Sequence, residues 1–194
     1  MFYNVIRFIV NIYMNIYYKF EVVGKENVPS DGSLIICSNH IHWADPVIVA
    51  CKSTNRQIHY MAKIEIFKNN FITWFLNNLN VFSIKRGEID VAAIKNALRL
   101  LKDGKVLGMF PEGTRVKGDE EKKPEAGLGM LAVKSKAIVV PVNLRGSYKF
   151  RSKITVTVGK PIYLEEYHSV KINKEGYEKI SNDIMQTIRK LNLG

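Results

Sequence analysis

Apolar residues recur along this chain in two rhythms, and their alternation sets the expected fold. Val91, Ile94, Leu98 and Leu101 fall three and four apart, which predicts a helix over 90–101 that ends at Asp103-Gly104. Tyr177, Ile180, Ile184, Ile188 and Leu191 repeat the spacing and predict a closing helix over 175–191. Residues 46–52, 69–79 and 126–134 read as further helices, the first with proline at its first position, where the missing N–H breaks no hydrogen bond. Short apolar or alternating runs predict strands at 20–24, 33–38, 57–62, 81–84, 106–110, 138–143 and 154–158. Turn residues make 27–32 a loop. Strands that alternate with helices imply an α/β fold. The expected core is a mixed, largely parallel central sheet of about seven strands, flanked by helices.

The first twenty residues follow a different pattern. Asn4, Arg7, Asn11 and Asn15 gather on one side of a helix. Phe2, Val5, Ile6, Phe8, Ile9, Val10, Tyr13, Ile16, Tyr17 and Phe20 cover the rest. The polar interruptions argue against a spanning helix, which needs about 20 mostly apolar residues. No small-residue cleavage site marks a signal peptide. The segment reads as an amphipathic helix in a membrane interface; the alternative is a helix packed on the domain's own core. The expected organisation is a membrane-associating helix at 1–20 and a single domain at 21–194.

Charge adds a partner class. Against 18 Asp and Glu stand 29 Lys and Arg, a net charge of +11. Such an excess attracts nucleic acid, phosphorylated metabolites or an anionic membrane. No nucleic-acid-binding module or basic–aromatic stripe accompanies it. Cys37 and Cys51 lie in or near apolar runs and read as small buried hydrophobes in a reduced compartment.

Two short segments carry candidate chemistry. In Asn39-His40-Ile41-His42-Trp43-Ala44-Asp45, the His and Asp stand five apart, a spacing that separates them on a continuous helix. The strand is expected to end near Ser38. Asp45 precedes Pro46, which favours an extended Asp45 and a helix N-cap there. A loop folding back between strand and helix brings the carboxylate to one imidazole nitrogen and leaves the other for a substrate, the arrangement of a general base. A purely structural cap and a polar loop histidine would explain the same residues. A metal centre is not expected. The metallo-β-lactamase-like pattern His-x-His-x-Asp-His has its Asp one place earlier and a further His, whereas here only His59 and His168 remain.

The second segment is Phe110-Pro111-Glu112-Gly113-Thr114-Arg115, at the end of an expected strand. Gly113 permits close backbone approach, and Arg115 offers a planar fork for phosphate oxygens. Glu112 can accept hydrogen bonds from hydroxyls or orient an arginine. Lys63 and Lys85-Arg86-Gly87 add cations at two other strand ends. A surface turn with an exposed salt bridge is the bland alternative.

Together these segments resemble the 1-acylglycerol-3-phosphate acyltransferase family, which also includes glycerol-3-phosphate acyltransferases. The resemblance spans about residues 20 to 165. The family's Asn-His-x4-Asp motif falls on Asn39, His40 and Asp45. A second motif falls on Lys63-Ile64-Glu65 and Phe82-Ser83-Ile84-Lys85-Arg86-Gly87. Phe-Pro-Glu-Gly-Thr-Arg is matched in full by residues 110–115, and the apolar run into a proline by Ile138-Val139-Val140-Pro141-Val142. The chain departs from the pattern at His42, Lys85 and Glu125, which bears on the acceptor rather than on the chemistry.

The resemblance implies that His40, oriented by Asp45, deprotonates a glycerol hydroxyl as it attacks an acyl thioester. It implies that Asn39, Lys63, Arg86, Glu112, Gly113, Thr114 and Arg115 form the substrate site. No cofactor is implied. Acyl-CoA or acyl-acyl carrier protein would be the donor and a lysophospholipid the acceptor, at an anionic membrane surface on its cytoplasmic face.

Overall fold

A computed structural model describes residues 1–85, 87, 89–116 and 122–191. Seven strands form one sheet: β1 (Lys19–Val23), β2 (Leu34–Ser38), β3 (Ile58–Lys63), β4 (Val81–Ile84), β5 (Val106–Met109), β6 (Ile138–Gly146) and β7 (Lys153–Val158). Their spatial order is β1-β7-β6-β2-β5-β3-β4. Strands β4, β3, β5, β2 and β6 pair in parallel, so their C-terminal ends share one edge. β7 returns antiparallel to β6, and β1 runs parallel to β7. The expected mixed, largely parallel sheet is therefore present.

Helices α1 (Phe2–Tyr17), α2 (Asp45–Lys52), α3 (Asn70–Asn78), α4 (Val91–Lys102), α5 (Gly127–Ser135) and α6 (Lys174–Lys190) flank it. Asn69, Asp90 and Asn173 start α3, α4 and α6 by accepting the amides of Ile72, Ala93 and Gly176.

The run Leu34-Ile35-Ile36-Cys37 is apolar throughout because both its faces are covered. Ile35 and Cys37 pack with Leu107, Leu101, Leu128, Leu131 and Ile184 beneath α4, α5 and α6. Leu34 and Ile36 pack on the other side with Val106, Ile48, Val49 and Met14 beneath α1 and α2.

Helix α1 docks through its polar residues and two buried side chains, Tyr3 and Met14. Asn4 accepts from the Gln57 amide at 3.1 Å. Arg7 donates to the carbonyls of Thr54 and Asn55. Lys52 donates to Asn11 and Asn15 at 2.7 and 2.6 Å, with its ammonium 4.3 Å from the Phe20 ring centroid. The opposite side, Val5, Phe8, Ile9, Ile12, Tyr13 and Ile16, is 46–66% exposed. The helix thus packs on the domain, as one reading allowed, through these hydrogen bonds and through Tyr3 and Met14, while much of its apolar surface stays outside. No helix among the described residues is long and apolar enough to cross a membrane.

Candidate active site

The shared C-terminal edge of the parallel strands gathers the predicted site. Where β2 ends, the Asn39 amide bonds both ways with Leu144 of β6: its nitrogen donates to the carbonyl at 2.9 Å and its oxygen accepts the N–H at 2.8 Å. Asn39, expected among the substrate contacts, therefore anchors the loop to the sheet. The chain then folds back over six residues to α2, and Asp45 ends fully buried.

Asp45 organises this loop. Its Oδ2 accepts the backbone N–H groups of Ile41 and His42, each at 2.7 Å, and lies 2.9 Å from His40 Nδ1. Its Oδ1 accepts the Tyr148 hydroxyl at 2.5 Å. The expectation of an extended, capping Asp45 is corrected here. Helix α2 begins at Asp45, after Ala44, with no side-chain cap. The physical reason is direction: a cap must reach forward to the next amides, whereas these donors hold the carboxylate back on the loop.

Next to an ionised Asp45, His40 Nδ1 donates and Nε2 is the basic nitrogen. The imidazole lies flat on Phe110, centroids 4.2 Å apart at 27°. Phe110 in turn lies parallel to Tyr60 at 6.2 Å. Tyr60 is fixed by its hydroxyl on the Pro46 carbonyl and by Gly108, where a Cβ would come within 2.2 Å of its ring. Sequence reasoning did not single out Tyr60 or Tyr148. Their only signal was an aromatic residue in, or just after, a strand that ends at this edge.

The two motif loops are tied together at His40. Its N–H donates to Glu112 Oε2 at 2.9 Å, and its carbonyl accepts from Val116 at 2.8 Å. Glu112 is buried, and this burial raises its carboxyl above the ordinary range despite the bond from His40. Gly113 sits at φ +68°, and a Cβ there would come within 2.3 Å of Glu125 Oε1. Thr114 and Arg115 are exposed on the same loop, and the Arg115 charge reaches His42. Burial holds His42 below the usual imidazole range, and its Nδ1 accepts from Ala44. Lys63 stands exposed at the end of β3, 2.8 Å from Glu65. Arg86 lies outside the described residues; Lys85 beside it follows β4 at the same edge, its N–H on Asp90.

The arrangement is a histidine on a buried carboxylate, beside a loop with a positive-φ glycine and an arginine. A general family model described as Acyltransferase matches residues 19–145. The chain belongs to the acyltransferase family. It is 31% identical over 176 residues to the 1-acyl-sn-glycerol-3-phosphate acyltransferase of Bacillus subtilis, covering 88% of this chain and 87% of that one. It is 30% identical over 160 residues to the chloroplastic 1-acyl-sn-glycerol-3-phosphate acyltransferase LPAT1 of Arabidopsis thaliana, covering 76% of this chain and 44% of the plant protein. The fold matches the crystal structure of the 1-acyl-sn-glycerophosphate acyltransferase PlsC of Thermotoga maritima with a TM-score of 0.73. That match is 21% identical and covers 98% of this chain and 81% of the other. As an acyltransferase-family domain, the chain carries both motif loops within the matched segment, whereas Tyr148 lies just beyond it.

Proposed function

We propose that this acyltransferase moves a fatty acyl group from an acyl thioester to the free hydroxyl of 1-acyl-sn-glycerol-3-phosphate, giving phosphatidic acid. The observation that carries this reading is that the His40 backbone is tied to the Glu112–Val116 loop by two hydrogen bonds, its N–H to the Glu112 carboxylate and its carbonyl to the Val116 N–H. A base and a phosphate-binding loop on one rigid support suit an acceptor that holds a hydroxyl and a phosphate a few bonds apart.

In the proposed reaction His40 Nε2 takes the hydroxyl proton as the oxygen attacks the thioester carbonyl. The tetrahedral intermediate collapses and the C–S bond breaks. The thiolate leaves and takes a proton from the imidazolium, so His40 returns to its starting form. Asp45 holds the tautomer and stabilises the imidazolium. General-base help of this kind is worth roughly 10² to 10⁴ in rate. Arg115, with Lys63 and Arg86, would bind the acceptor phosphate, and Gly113 and Thr114 would shape its approach. A direct transfer is supported by the cysteines. Cys37 is enclosed in the core, where burial pushes its thiol far up, and burial also raises the Cys51 thiol.

The donor is acyl-CoA or acyl-acyl carrier protein, and the site needs no cofactor. The inverted amphipathy of α1 supports a peripheral position, with its apolar side in the interface of an anionic cytoplasmic leaflet. The test is thiol release by the purified protein from acyl-CoA and from acyl-acyl carrier protein, with 1-acylglycerol-3-phosphate, glycerol-3-phosphate and other lysophospholipids offered in turn. Release that depends on 1-acylglycerol-3-phosphate, with phosphatidic acid as product, is the expected result. Faster release with glycerol-3-phosphate would reassign the acceptor, and no acceptor-dependent release would refute the reading.

A further inference from the structure

Asp45 presents two oxygens in a site closed to water. Oδ2 meets His40 Nδ1 and two backbone N–H groups, all supplied by its own loop. Oδ1 is met from elsewhere in the chain, by the Tyr148 hydroxyl in the connection between β6 and β7. The Tyr148 ring is held from two sides. It stacks on His42 with centroids 4.1 Å apart at 23°, and Tyr18 packs against it edge-on at 6.1 Å. Tyr18 directly follows α1, its N–H on the Met14 carbonyl. Burial, together with the adjoining Asp45 charge, raises the phenol far above its ordinary range, so it stays protonated and is the donor in its bond to the carboxylate.

We propose that Tyr148 is a positioning residue for the His40–Asp45 pair: by fixing Oδ1 it keeps Oδ2 directed at His40 Nδ1. The proposal rests on the reading of His40 as the base. Two backbone amides alone pin Oδ2 as a pivot and leave the carboxylate plane able to swing about it. The hydroxyl is the fourth donor and stops that swing. It also satisfies an oxygen whose burial without a partner would be costly. The short, charge-assisted contact is of the stronger class of hydrogen bond.

Tyr148→Phe keeps the ring, and with it the packing on His42 and Tyr18, and removes only the hydroxyl. The expected result is kcat lower by roughly ten- to a hundredfold, the loss of one hydrogen bond to a charged group. KM for thioester and acceptor should stay within about twofold, because the one group removed is a hydroxyl engaged by Asp45. In an Asp45→Asn background the same change should have little further effect, since no carboxylate remains to be held. 3-Fluorotyrosine at position 148 retains the donor and should restore kcat to within about threefold.

A wild-type kcat in Tyr148→Phe would overturn the proposal. So would a kcat loss of equal factor in the Asp45→Asn background, or a loss confined to KM, since either marks a role unrelated to the pair. His40→Ala is the control that separates the two readings. If it keeps turnover, the base reading falls and the positioning role with it. If it is inactive while Tyr148→Phe is fully active, the positioning role alone falls.

Discussion

Glu112 is the residue whose burial works against it. Its carboxylate accepts one backbone N–H, from His40, yet burial still raises its pKa. The protonated form is therefore favoured by folding. Its contribution to stability is full below the unfolded carboxyl pKa and is lost as pH rises through the raised folded value. Glu112→Gln removes that ionisation and can keep an oxygen on the His40 N–H. The variant should melt above the wild type at pH 8, with the gap closing as the pH falls below the ordinary carboxyl range. Its activity should fall because a neutral amide replaces the ionisable carboxyl on the His40 N–H. A wild-type melting profile across this range would contradict the account, and thermal melts in parallel buffers decide it. At this scale the sequence was informative about identity and weak about role. His40, Asp45, Glu112 and Gly113 were all legible from motif spacing. The backward reach of Asp45 was not, because the direction of a short side chain depends on donors that meet only after folding. Tyr148, distant in sequence, was illegible for the same reason.

At the scale of elements, α1 and the β6–β7 pair differ most in how readable they were. The amphipathic pattern of 2–17 was plain, but periodicity does not say which side turns inward. In a water-soluble domain the apolar stripe packs on the core. Here Asn11, Asn15 and Arg7 face the protein because Lys52 and the Thr54 and Asn55 carbonyls offer them partners. The sheet around β2 was legible because a continuous apolar run of strand length marks a strand buried on both faces. The antiparallel return of β7 follows from only six residues between Gly146 and Lys153, too few for a parallel crossover. The exposed side of α1 gives a direct prediction. Phe8→Asp with Ile12→Asp should leave the melting temperature within a few degrees, because both side chains are exposed. It should weaken binding to anionic lipid vesicles by roughly a hundredfold or more, given about 1.5–3 kcal/mol for each large apolar side chain buried. Vesicle flotation reads this out, and equal binding by variant and wild type would remove α1 from the interface.

In the whole molecule, one sheet edge brings together groups from four strand ends: the His40 loop after β2, the Glu112 loop after β5, Lys63 on β3 and Lys85 after β4. Open α/β sheets place their ligands at this edge. β6 reaches it too, and its connection to β7 supplies Tyr148. Because α1 ends at Tyr17 and Tyr18 packs on Tyr148, the proposed membrane helix finishes close to the His40–Asp45 pair. A lipid acceptor held in that interface would thus meet the site without leaving the membrane surface. The family was legible because its motifs occur in order, while the acceptor depends on side chains around the loops and on the departures at Lys85 and Glu125.

The central claim is that His40 is the base in acyl transfer to 1-acyl-sn-glycerol-3-phosphate. It is tested most directly by thiol release from an acyl thioester with that acceptor, measured for the wild type and for His40→Ala of unchanged melting temperature. The account predicts acceptor-dependent release by the wild type and a loss of roughly 10² to 10⁴ in kcat for the variant. Equal turnover by the two proteins would contradict it.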